Sequence, residues 1–308
     1  MLEERLSEIA FFHKAQAQSL KREHLRQKIW LGVMWLFGLI TVSILILVVG
    51  YVLVQGAKVI SWDFLSTAPR GGLSGEGGIS TTIATTFYLV GLTLLIATPL
   101  GVGAAVFLIE YAGEQSLNSR FLRVVIGIAN FAVETLAGIP SIIFGLFGYA
   151  LFVSTLKFGF SLLSAALAGA CLVLPTIIRT TEEALLTVPD DYRRGSLALG
   201  ATKWQTLYRI VLPAGLPGII TGIILSVGRV ISETAIFYVT LGGSYRVPTS
   251  IMDGGRTLAL HLYYLAMDTR AFDKAMGTGA VLVVMIILIN LLIDLVSRKL
   301  TAGVRKVR

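Results

Sequence analysis

The sequence predicts an all-α, polytopic membrane protein with six transmembrane helices. Hydrophobic residues make up 55% of its 308 residues, charged residues only 14%, and the mean hydropathy is +0.79. Several apolar runs reach the roughly 18 residues that a helix needs to cross a bilayer. A soluble domain is therefore excluded. The net charge of +8 lies in the segments between the apolar runs, so no basic surface for a nucleic-acid partner is expected.

The chain begins with a polar, basic segment, residues 1–28, whose apolar residues recur at helical spacing. This pattern is typical of a short amphipathic helix on the cytoplasmic surface of a membrane. The apolar run 29–54 follows a charged stretch that is too long for a cleavable signal peptide, so we interpret it as the first transmembrane helix. The Gly-rich tract 71–78, in an extracytoplasmic linker 55–78, lacks the Lys-Ser/Thr pair of a phosphate-binding loop and is interpreted as a flexible connector.

The core of the protein is predicted within residues 79–298 and is followed by a basic cytoplasmic tail, 299–308. Its five further spans are predicted at 82–109, 124–153, 162–178, 218–242 and 278–296. Closely spaced hydroxyl residues open the second span, and they either return hydrogen bonds to their own helix or line a polar path. Pro140 removes a backbone hydrogen bond from the third span, so we expect a broken helix that faces the interior of a bundle.

The distribution of basic residues predicts the orientation. If the N-terminus is cytoplasmic, the inner segments hold 18 of the 26 Lys and Arg residues, the outer segments hold seven, and Arg229 falls within a span. The positive-inside rule then places both termini and the polar segment 179–217 in the cytoplasm. Five or seven spans would instead separate the two basic ends.

Three ionisable residues fall deep within predicted spans: Glu134, Arg229 and Glu233. Arg229 lies eleven residues into the fifth span, which places it roughly 16 Å deep in a core about 30 Å thick. Arg229 and Glu233 are four residues apart on one predicted helix, so they either neutralise each other or meet an anion in transit. A guanidinium group matches a phosphate-like oxyanion in a bidentate way.

No catalytic signature occurs in the sequence. The strings GxxxxGK[ST], HExxH and GxSxG are all lacking, and Cys171 is the only cysteine, so neither an intrachain disulfide nor a cysteine-based metal site is possible. We therefore expect no enzyme activity and no cofactor on this chain.

The segment 179–217 has a helix-turn-helix pattern, with Gly200 at its bend and Pro213 and Pro217 where the next helix is predicted to start. It resembles the EAA motif of membrane subunits in bacterial ATP-binding-cassette (ABC) importers, whose glycine, isoleucine and Leu-Pro match Gly200, Ile210, Leu212 and Pro213. Four strings resemble the permeases of Pst-type phosphate importers, specifically their PstA subunits: LAGIPSIIFGLFG (136–148), RTTEEAL (179–185), LALGATKWQT (197–206) and GRVISETA (228–235).

The resemblance covers roughly residues 60–300 and implies the type I ABC importer permease (MetI-like) fold in the bacterial cytoplasmic (inner) membrane. It implies a PstC-like second permease subunit, two PstB-like ATPases that bind ATP and Mg, and an external PstS-like phosphate-binding protein, with membrane lipid around the spans. The function expected is that of one half of the translocation pathway of an ATP-driven phosphate importer.

By the resemblance, Arg179 and Arg229 correspond to arginines of the phosphate path and Glu233 to the acid that follows. Glu134 and Ser141 of the third span complete the candidate pathway. Residues 190–206 correspond to the coupling helix that docks on the ATPase. The residues assigned to that contact are Asp190, Asp191, Arg194, Ala198, Gly200, Ala201, Thr202 and Trp204.

One departure from the family pattern changes the docking surface. Arg194 stands where the family motif opens with an acid, and Gly195 and Ser196 replace two alanines. The charge is reversed there, and Asp190 or Asp191 is the candidate substitute for the missing acid. Two alternatives remain open: import of another oxyanion, molybdate or sulfate, and a membrane scaffold subunit that forms no pathway. A scaffold has no need of charged residues at midplane depth.

Overall fold

The computed structural model describes the backbone of residues 2–71, 75–111 and 120–305, and within these ranges the side chains of 23–299 other than 25, 71 and 120–122. The helices are α1 Leu2–Ala57, α2 Trp62–Ser66, α3 Ser80–Val106, α4 Arg120–Gly138, α5 Ser141–Gly148, α6 Leu162–Leu186, α7 Asp190–Ala198, α8 Lys203–Thr206, α9 Leu212–Ser232, α10 Ala235–Thr240, α11 Leu258–Met267 and α12 Phe272–Arg305. Stretches of π-helix, Phe107–Tyr111, Tyr149–Thr155 and Leu207–Val211, continue α3, α5 and α8.

Six membrane spans are confirmed in the described residues when a bent pair of helices is counted as one. The five straight spans are Arg26–Ala57, Ser80–Tyr111, Leu162–Leu186, Lys203–Ser232 and Phe272–Lys299. The bent span joins Arg123–Gly138 to Ser141–Thr155 at an angle of 110°. Pro140 lies at the bend, as the sequence predicts, because its ring and missing N–H stop the helix.

The chain divides into two compact units, Met1–Val54 and Gln55–Arg308. In the first unit α1 is helical from Leu2 onwards without a break, so the separate short surface helix predicted over 1–28 is not observed. Residues 29–48 of this unit expose nearly all their apolar side chains, which suits a helix surrounded by lipid. The amphipathic pattern predicted for the first 22 residues concerns side chains that lie outside the described set.

The fourth and fifth spans differ from the predicted ones. The fourth continues through Arg179 to Leu186, and Arg179 donates a 2.8 Å hydrogen bond to the buried Glu182 within this extension. The fifth begins at Lys203 rather than at residue 218 and ends at Ser232 rather than near residue 242. Its early start follows from the capping box that Thr202 and Gln205 form.

The described residues of the Gly-rich tract take part in a strand pair. Two short antiparallel strands, β1 Pro69–Gly71 and β2 Glu76–Gly77, pair with each other. Lys274 at the start of α12 donates its Nζ hydrogens to the carbonyls of Gly75, at 2.9 Å, and Gly77, at 3.4 Å. These strands are therefore fixed to the N-terminal end of α12. The prediction of a flexible connector also concerns residues 72–74, which lie outside the described residues.

Helix α6 forms the centre of the second unit and is the most buried of the described spans. Small residues let its neighbours approach: Gly218 and Gly222 of α9 lie directly against Ala184 and Thr180 of α6, where an added Cβ would clash. The GxxxG pattern at 218–222 is therefore a packing face. Earlier along α6, Gly101 of α3 likewise leaves no room for a Cβ beside Ile177.

Three hydroxyl residues in the first turns of α3 donate to carbonyls of their own helix or of the residue before it, whereas the buried Thr81 hydroxyl has no hydrogen-bond partner among the described residues. Thr82, Thr85 and Thr86 are buried and donate to the carbonyls of Ile79, Thr81 and Thr82 at 2.7–2.8 Å. Of the two predicted roles for these residues, backbone hydrogen bonding is thus the one observed. The Thr86 hydroxyl also accepts from the backbone N–H of Leu258 at 3.0 Å, which ties α11 to α3.

The segment between α10 and α12 closes the end of the bundle that the charge distribution assigns to the outside. Its loop is shaped by Asp253, whose carboxylate accepts from the Thr249 hydroxyl and from the N–H groups of Thr249 and Ser250 at 2.8–2.9 Å. These hydrogen bonds, above all that from the Thr249 hydroxyl, lower the pKa of Asp253. In α11, burial and the charges of Arg256 and Lys274 lower the pKa of His261 from 6.5 to about 4.

The buried His261 predicts a pH dependence of stability. A histidine that is neutral in the folded state but protonates on unfolding favours unfolding as pH falls from about 6.5 to 4, at a cost of up to about 3 kcal/mol, and has no such effect above 6.5. We expect His261→Asn to reduce the loss of thermal stability between pH 7 and pH 5, measured on detergent-solubilised protein. The matched control is His24→Asn, at an exposed position on α1, and an unchanged pH slope in His261→Asn would contradict the assignment.

Candidate functional site

Arg179 joins two helices within the membrane-spanning part. It lies on α6, and its guanidinium forms ion pairs with Glu134 of α4 at 3.0 Å and with Glu182 of α6 at 2.8 Å. The Glu134 side chain is 71% exposed, whereas Glu182 is buried. The structure therefore brings together two predicted pathway residues, Arg179 and Glu134, at the surface of the bundle.

Arg229 stands apart from this cluster. It is in the last turn of α9, its side chain is exposed, and it forms no ion pair with any described residue. Its span begins at Lys203 and ends at Ser232, so the depth counted from residue 218 does not measure its position. Arg229 lies near the C-terminal end of a continuous helical span.

Of the two alternatives for Arg229 and Glu233, mutual neutralisation on one helix face is not observed. Helix α9 ends at Ser232, and Glu233 has an extended conformation, with φ −74° and ψ 130°, so the two residues do not share a helix face. Glu233 is buried, and its carboxylate accepts from the N–H of Ile236 at 3.3 Å, at the start of α10. Glu233 thus stabilises the break between α9 and α10. It does not pair with the guanidinium of Arg229.

The packing of α6 against α9 fixes the order of the two arginines along the bundle. Gly218 faces Ala184 and Gly222 faces Thr180, so the helices run antiparallel. Arg179 precedes Thr180, whereas Arg229 lies seven residues beyond Gly222, which corresponds to about 10 Å along a helix. The bundle thus carries two cationic levels, an ion-paired inner level and an unpaired outer one.

The third span presents a largely uncovered surface. Val133 is the one buried residue among the described side chains of α4. Ser141, the first residue of α5, is half-buried beyond the bend, and no hydrogen bond from its hydroxyl is found among the described residues. The structure does not bring Ser141 into contact with Arg179 or Arg229. Since α4 carries the exposed Glu134, this face needs another protein or water beside it.

The cytoplasmic element that we call the coupling segment, residues 190–206, has the predicted helix-turn-helix form. Helix α7 leads to Gly200, whose φ of +85° favours glycine, and α8 follows directly. The buried hydroxyls of Ser196 and Thr206 form a 2.9 Å hydrogen bond that joins α7 to the helix after the turn. The serine that replaces a family alanine therefore has a structural role.

Arg193 connects the coupling segment to the second span. Its guanidinium donates to Glu110 at 2.8 and 3.0 Å, to the carbonyls of Leu185 and Val188 at 2.9 and 2.7 Å, and to Asp190 at 3.2 Å. The Arg193 and Glu110 side chains are only 17% and 10% exposed. A second contact places the Lys203 ammonium 4.9 Å from the ring centre of Tyr111. These contacts join the coupling segment directly to the π-helical continuation of α3, Phe107–Tyr111.

Most of the predicted coupling residues are accessible. Exposed are Asp190, Asp191, Arg194, Ala198, Gly200, Thr202 and Trp204, whereas Ala201 is half-buried. Asp190 pairs with Arg193 and the Thr202 hydroxyl caps α8, so these two also stabilise the segment itself. Leu199 is 90% exposed and Trp204 is 63% exposed. An exposed apolar group flanked by charges is typical of a protein-docking surface.

The sequence analysis missed Arg193, Glu110 and Glu182. Nothing local distinguishes Arg193 from its neighbour Arg194, yet one is enclosed and the other is exposed. Within the described part of the chain, no group of His, Cys, Asp and Glu side chains is placed to hold a metal ion.

The bundle, the charged face and the cytoplasmic segment define a multi-span transporter subunit. The family of binding-protein-dependent transport system inner membrane components matches residues 122–306, and the chain belongs to this family. A probable ABC transporter permease protein, YqgI, of Bacillus subtilis is 34% identical over 296 residues, which cover 90% of this chain and 98% of that protein.

Two further relatives are phosphate transport system permease proteins. PstA 1 of Mycobacterium tuberculosis is 37% identical over 218 residues, covering 70% of this chain and 69% of that protein. PstA of Haemophilus influenzae is 32% identical over 262 residues, which cover 85% of this chain and 89% of that protein.

Solved structures share the fold. A chain of the bacterial alginate ABC transporter superposes with a TM-score of 0.60 at 15% identity, covering 92% of this chain and 97% of that one. A chain of the MetNI methionine ABC transporter, in an inward-facing conformation, superposes with a TM-score of 0.55 at 24% identity. The match covers 72% of this chain and 94% of that one. The predicted type I ABC importer permease fold is confirmed.

The Arg193 contacts predict a large effect on the coupling segment. Removing one partner of a nearly buried ion pair leaves the other uncompensated, at a cost of about 3–5 kcal/mol. We expect Arg193→Gln to lower the unfolding temperature in detergent and to speed amide hydrogen exchange in 190–206. The exposed Arg194→Gln is the matched control and should change stability by less than about 0.5 kcal/mol. Equal effects of the two substitutions would contradict the assigned role of Arg193.

Proposed function

We propose that this chain is a permease subunit of an ATP-driven phosphate importer of the bacterial cytoplasmic membrane. It forms one half of the translocation pathway. Its coupling segment links ATP hydrolysis by the ATPase subunits to conformational change in the membrane part. Its relatives named as phosphate transport permeases support phosphate as the substrate. Both termini are cytoplasmic in this proposal, in accord with the distribution of Lys and Arg.

The observation that carries the proposal is the exposed, unpaired guanidinium of Arg229 among the described residues of a membrane-spanning helix. Arg229 lies in the last turn of its span, where the charged end of an arginine side chain reaches water or protein rather than lipid. Arginine remains protonated and offers planar, paired donors to an oxyanion. A passing phosphate is the partner that this group lacks in the subunit.

The inner arginine supports release of the anion. The acids Glu134 and Glu182 already pair with Arg179 at 3.0 and 2.8 Å. An anion that reaches this level competes with two carboxylates for one guanidinium, so its binding is weakened. Conduction requires sites that bind the ion and also let it leave. In this proposal Arg229 attracts phosphate, and the Arg179 cluster keeps it from being held.

A second permease subunit, PstC-like, covers the face that carries α4. In support, α4 buries only Val133 among its described side chains and holds Glu134 at its surface. A second half that lies against this surface encloses the charged residues in a seam between subunits. That seam is the pathway we propose for the anion, with Ser141 on the same span as a polar lining residue.

Two PstB-like ATPases bind the coupling segments of the two permease subunits and carry the ATP and Mg, and a PstS-like protein delivers phosphate on the outside. Support for the ATPase contact comes from Leu199 and Trp204, whose large exposed side chains flank the turn. The Arg194 side chain lies on this surface in place of the family acid, so the partner ATPase is expected to present a carboxylate opposite it.

Another oxyanion remains the second candidate substrate, because a guanidinium pairs with sulfate or molybdate in the same geometry. The scaffold alternative is disfavoured because it gives no reason for an unpaired arginine on a membrane span. Uptake by the reconstituted complex, with labelled phosphate competed by sulfate and by molybdate, decides between the anions.

Arg229→Gln should lower phosphate uptake by reconstituted vesicles by at least tenfold, since charge-assisted hydrogen bonds worth about 1.5–3 kcal/mol are lost. Arg229→Lys keeps the charge without the paired donors, so its phosphate uptake should lie between that of the unchanged protein and that of Arg229→Gln. The matched control, Arg270→Gln, removes an exposed outer arginine and should leave uptake unchanged. Normal uptake by an assembled Arg229→Gln complex would remove Arg229 from the pathway.

Gly200→Asp should uncouple ATP hydrolysis from uptake. No atom of this chain lies within 4 Å of the position that a Cβ at Gly200 would occupy, so the added side chain projects into the docking surface. Gly200→Asn is the matched control for charge, because Asn and Asp both tolerate the positive φ of this turn. The ratio of ATP hydrolysed to phosphate transported is the measurement, and a normal ratio in Gly200→Asp would show that the turn does not contact the ATPase.

A further inference from the structure

A second unpaired arginine lies in the segment between α10 and α12, away from the α6–α9 contact. Arg256 is 7% exposed and stacks between two tyrosines, with its guanidinium carbon 4.3 Å from the ring centre of Tyr245 and 4.0 Å from that of Tyr264. The sequence analysis assigned it only to an outer segment. Its burial shows that it is not an ordinary solvated loop residue.

The charge of Arg256 is not neutralised by any described residue. It forms no ion pair in that part of the chain, and its buried Nε has no hydrogen-bond partner. The one side-chain contact of NH1 is with Nδ1 of His261 at 3.5 Å. Since burial and the charge of Arg256 lower the pKa of His261 to about 4, that imidazole is neutral and supplies no counter-charge.

Aromatic stacking offsets only part of the cost of this burial. The attraction between a cation and an aromatic ring is weaker than the penalty for an uncompensated buried charge. Both ring centres lie within 4.3 Å of the guanidinium carbon. The guanidinium is planar and presents its donors in one plane, in the arrangement that suits an oxyanion.

A cavity of about 260 Å³ lies beside Arg256. Tyr245, Tyr264 and His261 form its walls together with two carboxylates, Glu76 of β2 and Asp268 at the end of α11. Both carboxylates are exposed, and neither forms an ion pair with Arg256. The cavity therefore offers a fixed cation and two hydrogen-bond acceptors to one small ligand.

We propose that this outer cavity binds a small, protonated oxyanion of the phosphate class, with Arg256 as its cationic ligand. Hydrogen phosphate retains a proton near neutral pH, which it donates to Glu76 or Asp268 while its other oxygens accept from Arg256. Sulfate has no proton to donate and is repelled by the same carboxylates. The site therefore prefers phosphate over sulfate. Binding at this site does not depend on Arg229 or on transport by the complex. Only the choice of phosphate as the probe rests on the proposed function.

Equilibrium binding of labelled inorganic phosphate tests the site in the purified complex, without nucleotide or external binding protein. All proteins carry Arg229→Gln, so the pathway contact does not contribute. We expect Arg256→Gln to weaken this binding by about tenfold or more and Arg256→Lys to weaken it less. Binding that is unchanged in an assembled Arg256→Gln complex, or undetectable before that substitution, would overturn the proposal.

A second variant avoids disturbing the buried arginine. Asp268→Asn changes an exposed group. It should lower the sulfate concentration needed to displace bound phosphate by about fivefold or more. Asp273→Asn, outside the cavity on α12, is the matched control and should leave the competition unchanged. Unaltered competition in the double variant Glu76→Gln and Asp268→Asn would overturn the assignment to a protonated oxyanion. Phosphate uptake by the complex with Arg229 and Arg256 intact, measured in parallel, separates failure of this site from failure of the proposed function.

Discussion

The close contact of α6 with its two neighbours is the constraint on which the rest of the structure depends. Glycines on α9 and α3 meet α6 where a Cβ would overlap Ala184, Thr180 or Ile177, so the helix axes are held as near as backbones permit. Lipid supplies no hydrophobic drive between helices, and packing of this kind is what holds a membrane bundle together. Because α6 carries Arg179 and α9 carries Arg229, the same contact sets the spacing of the two cations.

The arginines fall into two groups, according to whether a carboxylate of this chain pairs with them. Arg193 and Arg179 are satisfied by carboxylates and stabilise the helices that they join. Arg229 and Arg256 lack such partners among the described residues, and each lies where a ligand or another chain has access. An arginine that costs stability without an internal partner is the type of residue that is retained for binding.

Some of this could be predicted from the sequence because its causes are local. The length of an apolar run, the missing N–H of Pro140 and the positive φ of Gly200 each act within a few residues. The end of α9 could not be predicted, since only Glu233 and Thr234 separate it from the apolar residues of α10, and such a short polar break does not by itself end a span. The partners of Arg193 could not be predicted either, since Glu110 is 83 residues away and the neighbouring Arg194 has the same chemistry.

The exposure of Leu199 has a consequence for the life of the protein in the cell. An aliphatic side chain that is 90% exposed at a turn between two membrane spans, near an exposed tryptophan, favours self-association as long as no partner covers it. In the complex proposed above, an ATPase covers these side chains. A subunit made without its ATPase is then the form expected to aggregate.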